Sequence, residues 1–262
     1  MHASYSANRL VANSVHLNLN PLVVIHEATA VARQSFSLDP LFLIEAFVVG
    51  TVQSQFLMST EQFSLIEAKI LKIAIIGKGN VGNALSSGLS SKHEVKFGHR
   101  DPAETVVDAA KWGEIIILAV PHNNANNAIK EIKLYADGKI VIDVMNAIGS
   151  NSELAISCTT SAAEETQKKL PKARVVKAFN TVFAANQGKG KVGDTQLTAF
   201  IAGDDPKAKQ TVAQLTRDIG FDPIDCGPLK AARYLEAMAI MIINLAYSNG
   251  MGTKIGFKLV KA

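Results

Sequence analysis

The stretch that decides the fold runs from residue 73 to residue 85 and reads IAIIGKGNVGNAL. It begins with a short apolar run rich in isoleucine, which is typical of a strand buried on both faces of a sheet. Three glycines in the G-x-G-x-x-G spacing follow at once, and residues 83–91 are small and compatible with a helix. A second strand is predicted at 94–98. This order predicts a βαβ unit of about 30 residues.

The Gly-rich turn has the chemistry of a pyrophosphate site. Gly77 would make the tight turn, Gly79 would let the backbone approach a phosphate, and Gly82 would let the helix pack closely on the strand. The first N–H groups of the helix would face the phosphates. The same motif alone is also typical of a flexible turn, but its place between a strand and a helix favours a dinucleotide. The predicted cofactor-binding residues of the turn are Gly77, Lys78, Gly79, Asn80, Val81 and Gly82.

The end of the second strand, EVKFGHRD at 94–101, indicates which dinucleotide is bound. In NAD-binding sheets an acid usually stands there and bonds the ribose 2′-OH, and its charge would repel a 2′-phosphate. Arg100 can bind such a phosphate through two parallel hydrogen bonds, with His99 beside it. We therefore predict NADP(H) rather than NAD(H). In the alternative interpretation, Arg100 only pairs with Asp101 or caps the following helix.

Strands and helices continue to alternate along the chain. The alternation predicts an α/β fold, a Rossmann doubly wound parallel sheet with right-handed crossovers and a C-terminal helix. Further strands are predicted at 114–121, 139–146, 173–181, 198–205 and 221–227, and further helices at about 161–171, 206–219 and 229–248.

In a sheet of this kind the ligand lies beyond the carboxyl ends of the strands. His122 there is either a proton donor or nicotinamide contact, or a surface histidine that caps the next helix. No catalytic side chain is required, because the cofactor carries the chemistry of hydride transfer. His122 and Asn180 are the nearest candidates for such a role. The residues that this rule places around one crevice are Val120, Pro121, His122, Asn146, Ala147, Asn180 and Thr181.

Composition narrows the classes of function. The chain has 262 residues and a net charge of +4, without a Lys/Arg block that would favour nucleic acid. No apolar run reaches the roughly 20 residues of a membrane span. The two cysteines, Cys158 and Cys226, lack metal-ligand spacing, and we expect a reducing cytoplasm and no metal site. The absence of a G-x-S-x-G motif disfavours a nucleophilic enzyme.

Residues 1–57 differ from the rest, because they carry few charges and show no sustained periodicity. Three interpretations stay open: a poorly ordered extension, a natural start at Met58, or an organelle transit peptide. Beyond them we expect an NADP-binding Rossmann domain at 70–228. Residues 229–262 would form a helix and a Gly-rich tail that complete the cleft.

From about Lys72 to the C-terminus the chain resembles a known family. The segments IAIIGKGNVGNAL, ILAVP, VVKAFNT, FIAGDD, DCGPLKAARYLE and NGMGTKIGFKL occur in this order. They are similar to those of the NADP oxidoreductase, coenzyme F420-dependent family, to which the ferric-reductase domain of the STEAP proteins is related. The C-terminal segments carry the more specific part of this resemblance.

The resemblance implies direct hydride transfer between nicotinamide C4 of NADP(H) and C5 of a deazaflavin, coenzyme F420, or a flavin-like co-substrate. It also implies a homodimer, with the helix at 229–248 as a candidate contact. Two departures stand out: archaeal members have a His at the position of Asn180, and a Lys shortly after the Arg, where this chain has Glu104 and Thr105. The second implies a weaker grip on the phosphate. The residues implied to border the acceptor are Asn180, Thr181, Asn249, Gly250, Met251 and Gly252.

Two further functions stay open at this point. One is NADPH-dependent reduction of free flavin or ferric iron. The other is a redox sensor that binds NADP(H) without chemistry. Turnover with a panel of acceptors separates them.

Overall fold

The computed structural model describes residues 69–149 and 159–261. The predictions for residues 1–57 and for Met58 fall outside this range. In the described part, the predicted strands and helices occur in the predicted order. The structure adds a helix at Val106–Trp112, a short helix at Ala184–Gln187 and a hairpin of two-residue strands after it, none of which was predicted.

Seven strands form the main sheet, in the order β2-β1-β3-β4-β5-β8-β9. Strand β1, the first strand of the predicted βαβ unit, pairs in parallel with β2 on one side and with β3 on the other. A short hairpin of β6 and β7 lies outside the sheet. The strands are β1 Lys72–Ile76, β2 Glu94–Gly98, β3 Ile115–Leu118, β4 Ile140–Asp143, β5 Arg174–Lys177, β6 Lys191–Val192, β7 Thr195–Gln196, β8 Thr198–Gly203 and β9 Asp222–Asp225.

All pairings of the main sheet are parallel except that of β5 with β8, which is antiparallel. The connection from β5 to β8 contains this hairpin, and the chain re-enters the sheet in the opposite direction. Strands β8 and β9 therefore run antiparallel to the first five strands. The carboxyl ends of β1 to β5 share one edge, which is where the sequence predicts the ligand.

Within the ranges that the structure describes, seven α-helices flank the sheet, and the helix at Pro206–Ile219 has the clearest boundaries. Asp205 caps it by accepting a hydrogen bond from the Ala208 N–H, Pro206 opens its first turn, and Gly220 ends it in the left-handed conformation. The helices are α1 Asn80–Leu89, α2 Val106–Trp112, α3 Ala125–Ile132, α4 Ala162–Lys169, α5 Ala184–Gln187, α6 Pro206–Ile219 and α7 Ala232–Tyr247.

Two apolar cores cover the two faces of the sheet. One packs β-strand side chains against α1 and α6, through Leu85 and Leu215 for example. The other packs them against α2, α3 and α4, through Ile129 for example. Helices on both faces of a mostly parallel sheet confirm the doubly wound α/β fold. No helix of the described ranges is long and apolar enough to cross a membrane.

Candidate functional site

The Gly-rich turn connects β1 to α1 and is held against the ends of β2 and β3. The Gly77 N–H donates to the Gly98 carbonyl at 2.9 Å, and Gly77 has a φ of 111°, which disfavours any other residue. A Cβ on Gly77 would lie 2.3 Å from the Ala119 carbonyl oxygen. The turn is therefore packed directly against the end of β3, next to Val120.

The other two glycines of the motif have different surroundings. A Cβ on Gly82 would lie 2.0 Å from the Gly77 carbonyl oxygen, whereas a Cβ on Gly79 would meet nothing within 4 Å. Gly82 thus allows helix and turn to touch, and Gly79 faces open space. Helix α1 starts at Asn80 with no side chain capping its first N–H groups and no acid in its first turn. This end of the helix can accept an anion.

At the end of β2, three side chains form an ion cluster. One carboxylate oxygen of Glu104 lies 2.6 Å from Lys78 Nζ and 2.5 Å from His99 Nε2. The backbone closes the same loop, because the His99 N–H donates to the Glu104 carbonyl at 2.8 Å. Hydrogen bonds from Lys78 and then His99 hold the pKa of Glu104 below its usual value. An acid therefore does stand near the end of β2, supplied by the loop instead of the strand.

Arg100 lies at the tip of this loop and is exposed. Asp101 accepts a hydrogen bond from the Ala103 N–H at 2.9 Å, and Arg100 forms no ion pair with any residue that the structure describes. Helix α2 is capped by Thr105, so Arg100 does not cap it either. Neither alternative interpretation of Arg100 is realised, and its guanidinium is available to a ligand.

At the ends of β4 and β5, two asparagines bind each other. Asn146 Nδ2 donates to the Asn180 carbonyl at 3.0 Å, and Asn180 Nδ2 donates to Asn146 Oδ1 and to the Leu235 carbonyl, both at 2.9 Å. Asn180 is 5% exposed, and its Oδ1 has no hydrogen-bond partner among the described residues. A buried acceptor without a partner is uncommon and suits a donor from a bound ligand.

The backbone just before Asn180 is unusual. Phe179 has a φ of 62°, the positive-φ conformation that side chains other than glycine rarely adopt. Its carbonyl accepts a hydrogen bond from Gln187 Nε2 at 3.0 Å. Such strained residues concentrate at functional sites, where the surrounding structure holds them in place.

Beneath the two asparagines, a buried lysine joins two strands to the last helix. Lys177 Nζ lies 3.0 Å from Asp143 Oδ1 and 2.8 Å from Glu236 Oε1, and it also donates to the Met145 carbonyl. Lys177 and Asp143 are fully buried. Burial opposes the charge of Lys177, but the two carboxyl groups outweigh burial and raise its pKa. This cluster fixes α7 against the carboxyl edge of the sheet.

His122 forms no hydrogen bond with either asparagine among the described contacts. Its ring lines a small cavity of about 110 Å³ between α3 and α4, together with Met145 and Thr166, and its buried Nδ1 has no partner among the described residues. A second, more open cavity of about 540 Å³ lies beside Arg174 and Asp204 and contains none of the predicted site residues.

The Gly-rich tail passes close to the segment that follows β5. Asn186 Nδ2 donates to the Thr253 carbonyl at 3.1 Å, and the rings of Phe183 and Tyr247 meet edge to face at 6.1 Å. Met251 is 59% exposed beside them. The structure thus brings the predicted acceptor segments, 180–184 and 249–252, into one neighbourhood.

The Lys177 cluster did not figure among the predicted site residues. A signal for it exists in the sequence, because Lys177 and Asp143 each interrupt an apolar run, VVKAF at 175–179 and IVIDVM at 140–145. Glu236 gives no such signal, since an acid in a helix is ordinary.

Comparison with known proteins places the chain in a family. The family model described as NADP oxidoreductase coenzyme F420-dependent matches residues 103–147. The F420-dependent NADP reductase of Methanocaldococcus jannaschii is 30% identical over 220 residues, which cover 71% of this chain and 98% of the relative. Metalloreductase STEAP3 of Rattus norvegicus is 31% identical over 66% of this chain, but the match spans only 37% of that protein.

Among solved structures, a proposed F420-dependent NADP-reductase from Arthrobacter sp. FB24 superposes with a TM-score of 0.69 at 27% identity. The match covers 73% of this chain and all of the other. Together with the near-complete coverage of the archaeal relative, this shows that the chain belongs to the NADP oxidoreductase, coenzyme F420-dependent family and is an NADP-dependent oxidoreductase.

Proposed function

We propose that this protein transfers a hydride between NADP(H) and coenzyme F420 or a flavin-like acceptor. The observation that carries the proposal is the edge formed by the ends of β1 to β5. One end of this edge has an open glycine turn suited to an anion, and the other has the buried Oδ1 of Asn180, which has no hydrogen-bond partner among the described residues. A dinucleotide bound along this edge could contact both the turn and Asn180.

The turn and the loop after β2 would hold the phosphate end of NADP(H). The pyrophosphate would lie over Gly79 at the start of α1, where no side chain intervenes. The free guanidinium of Arg100 would bind the 2′-phosphate, joined by His99 and Lys78 of the same loop and turn.

The asparagines would orient the nicotinamide end. Asn180 Oδ1 can accept a hydrogen bond from a carboxamide N–H, while its own Nδ2 is held by Asn146 and Leu235. Bound NADPH supplies the hydride, and the transfer between two cofactors needs no acid or base from the protein. The role of Asn180 is thus to fix the angle of the ring.

The acceptor would lie against residues 180–184 and 249–252. Phe183, Tyr247 and Met251 offer partly exposed apolar surface there, suited to a flat ring system. We also propose a homodimer and a cytoplasmic location. The dimer is supported by the exposed apolar side chains Tyr234 and Met241 on α7.

The decisive experiment follows NADPH oxidation by the full chain, with and without added F420, beside the variant Arg100→Ala. We expect F420-dependent turnover that is much lower with NADH. In Arg100→Ala the Km for NADPH should rise roughly tenfold, as expected for a lost charge-assisted hydrogen bond, while NADH turnover changes little. Equal losses with both cofactors would contradict the assignment of Arg100. Tight NADPH binding with no F420 turnover would contradict the assignment of F420.

A second candidate is reduction of free flavin or ferric iron, favoured by the similarity to metalloreductase STEAP3. The same assay with FMN and a ferric chelate as acceptors tests it. A protein that binds NADPH and oxidises it with none of these acceptors would instead be a redox sensor.

A further inference from the structure

We infer that Glu104 is a specificity-determining residue, whose carboxylate binds in the free protein the same two side chains, those of Lys78 and His99, that would receive the cofactor's 2′-phosphate. The inference rests on the proposed binding of NADP(H) along the strand ends. Lys78 and His99 would bind the phosphate, whereas Glu104 would compete with the phosphate for these two side chains.

The geometry of the cluster carries the inference. A single Glu104 oxygen contacts both Lys78 Nζ and His99 Nε2, at 2.6 and 2.5 Å. A phosphate oxygen is also a small, anionic acceptor, so it would seek the same two donors. Lys78 and His99 can therefore serve the phosphate only if the Glu104 oxygen withdraws or shares them.

The cluster is open enough for such an exchange. The side chains of Lys78 and Glu104 are 41% and 39% exposed, and that of His99 is 23% exposed. Arg100, the exposed cation at the loop tip, remains free to meet an incoming phosphate first. The carboxylate of the other acid of the loop, Asp101, accepts a hydrogen bond from the Ala103 N–H and forms no ion pair with Lys78 or His99 among the described contacts. Asp101 meets His99 only through its backbone N–H, which donates to His99 Nδ1 at 3.4 Å.

Charge and hydrogen bonding act in opposite directions on the two cofactors. A 2′-phosphate carries up to two negative charges and is repelled by Glu104, whereas the neutral 2′-OH of NADH can donate a hydrogen bond to it. Glu104 should therefore lower the ratio of the affinity for NADPH to the affinity for NADH. Removing its charge should raise that ratio.

The test is a calorimetric titration of the full chain with NADPH and with NADH, using the variant Glu104→Gln. Glutamine keeps the size of the side chain and removes the charge. The matched control is Glu94→Gln, which removes the same charge at the opposite end of β2, where Glu94 is exposed. Glu104→Ala serves as a second variant, so that the result does not depend on the hydrogen bonds of one amide.

We expect both Glu104 variants to bind NADPH roughly fivefold more tightly, the size of one exposed ion pair, while NADH binding is unchanged or weaker. Glu94→Gln should match the wild type. Unchanged or weaker NADPH binding in both Glu104 variants would overturn the inference. If the wild type still oxidises NADPH with F420, that result would leave the proposed function intact. Absence of NADPH binding by the wild type would overturn the proposed function and this inference together.

Discussion

At the residue scale, the three glycines of one motif divide two tasks between them. Gly77 and Gly82 touch neighbouring backbone, as shown by the 2.3 and 2.0 Å that a Cβ would leave to the Ala119 and Gly77 carbonyl oxygens. A Cβ on Gly79 would meet nothing within 4 Å among the described residues, so the missing side chain leaves space for the proposed cofactor. A single added methyl group should therefore affect the stability of the fold at Gly82 and the binding of the cofactor at Gly79.

Gly82→Ala should destabilise the fold by about 1–3 kcal/mol, the usual range for forcing a group into packed structure. Gly79→Ala should leave the free energy of unfolding nearly unchanged and weaken NADPH binding roughly tenfold, because its φ of −86° suits alanine and its methyl faces the phosphates. Urea unfolding and NADPH titration of both variants provide the check. Loss of stability in Gly79→Ala, or unchanged NADPH binding there, would contradict this division.

At the same scale, sequence and structure differ most at the end of β2. The motif and Arg100 could be predicted because they are local: a turn and the residue after a strand. The contacts of Glu104 could not, since Lys78 lies 26 residues away and meets it only when β1 and β2 pair. The resemblance to the family singled out this position, but only the fold shows that the acid binds two of the predicted cofactor ligands.

At the element scale, two charge clusters of different depth hold α7: one joins it to the sheet, and the other joins it to α4. The deep one joins Lys177 to Asp143 and Glu236. The shallower one joins Arg233 to Glu164 through two hydrogen bonds of 2.8 and 2.6 Å. They should respond differently to mutation and to pH.

Replacing Lys177 by Met should lower the free energy of unfolding by about 3–5 kcal/mol, because two buried carboxyl groups lose their cation. The comparison variant also carries Asp143→Asn and Glu236→Gln, which remove the uncompensated charge. It should be more stable than Lys177→Met alone, and urea unfolding measures both. A single variant as stable as the wild type would show that the cluster contributes nothing to holding α7.

The hydrogen bonds from Arg233 depress the pKa of Glu164 in the folded protein. Stability from this pair is therefore present above the unfolded pKa of about 4.3 and is lost as the pH falls through the lower folded value. Arg233→Gln should melt below the wild type at neutral pH, and the difference should shrink toward about pH 3. Arg217→Gln in the last turn of α6 is the control. A difference in melting temperature that does not change with pH would contradict the assignment.

Element directions also show what sequence patterns leave open. The strand predicted at 198–205 is observed as Thr198–Gly203, but its antiparallel pairing with β5 was not predicted. An apolar strand buried on both faces has the same composition in either direction. The connection that leads into β8 holds a hairpin whose two strands have only two residues each, and strands this short give no clear sequence pattern.

At the scale of the whole molecule, the proposed homodimer places α7 between two copies. Tyr234 and Met241 are 70% and 48% exposed on this helix, although its other face is buried. Met241→Glu should convert a dimer of 28.0 kDa chains into monomers, because each interface would then gain two charges in an apolar contact. Light scattering after size-exclusion chromatography measures the mass, with Gln210→Glu on exposed α6 surface as control. A monomeric wild type would refute the proposal.

The burial of Lys177 also gives the molecule an internal reporter. Its amine has no contact with solvent and is held by three acceptors, so neither an acylating reagent nor trypsin can reach it while the fold is closed. Exposed lysines such as Lys207 react at once. The ratio of acylated Lys177 to acylated Lys207, read by peptide mass spectrometry, therefore counts opened molecules directly, without denaturant and in a crude cell extract.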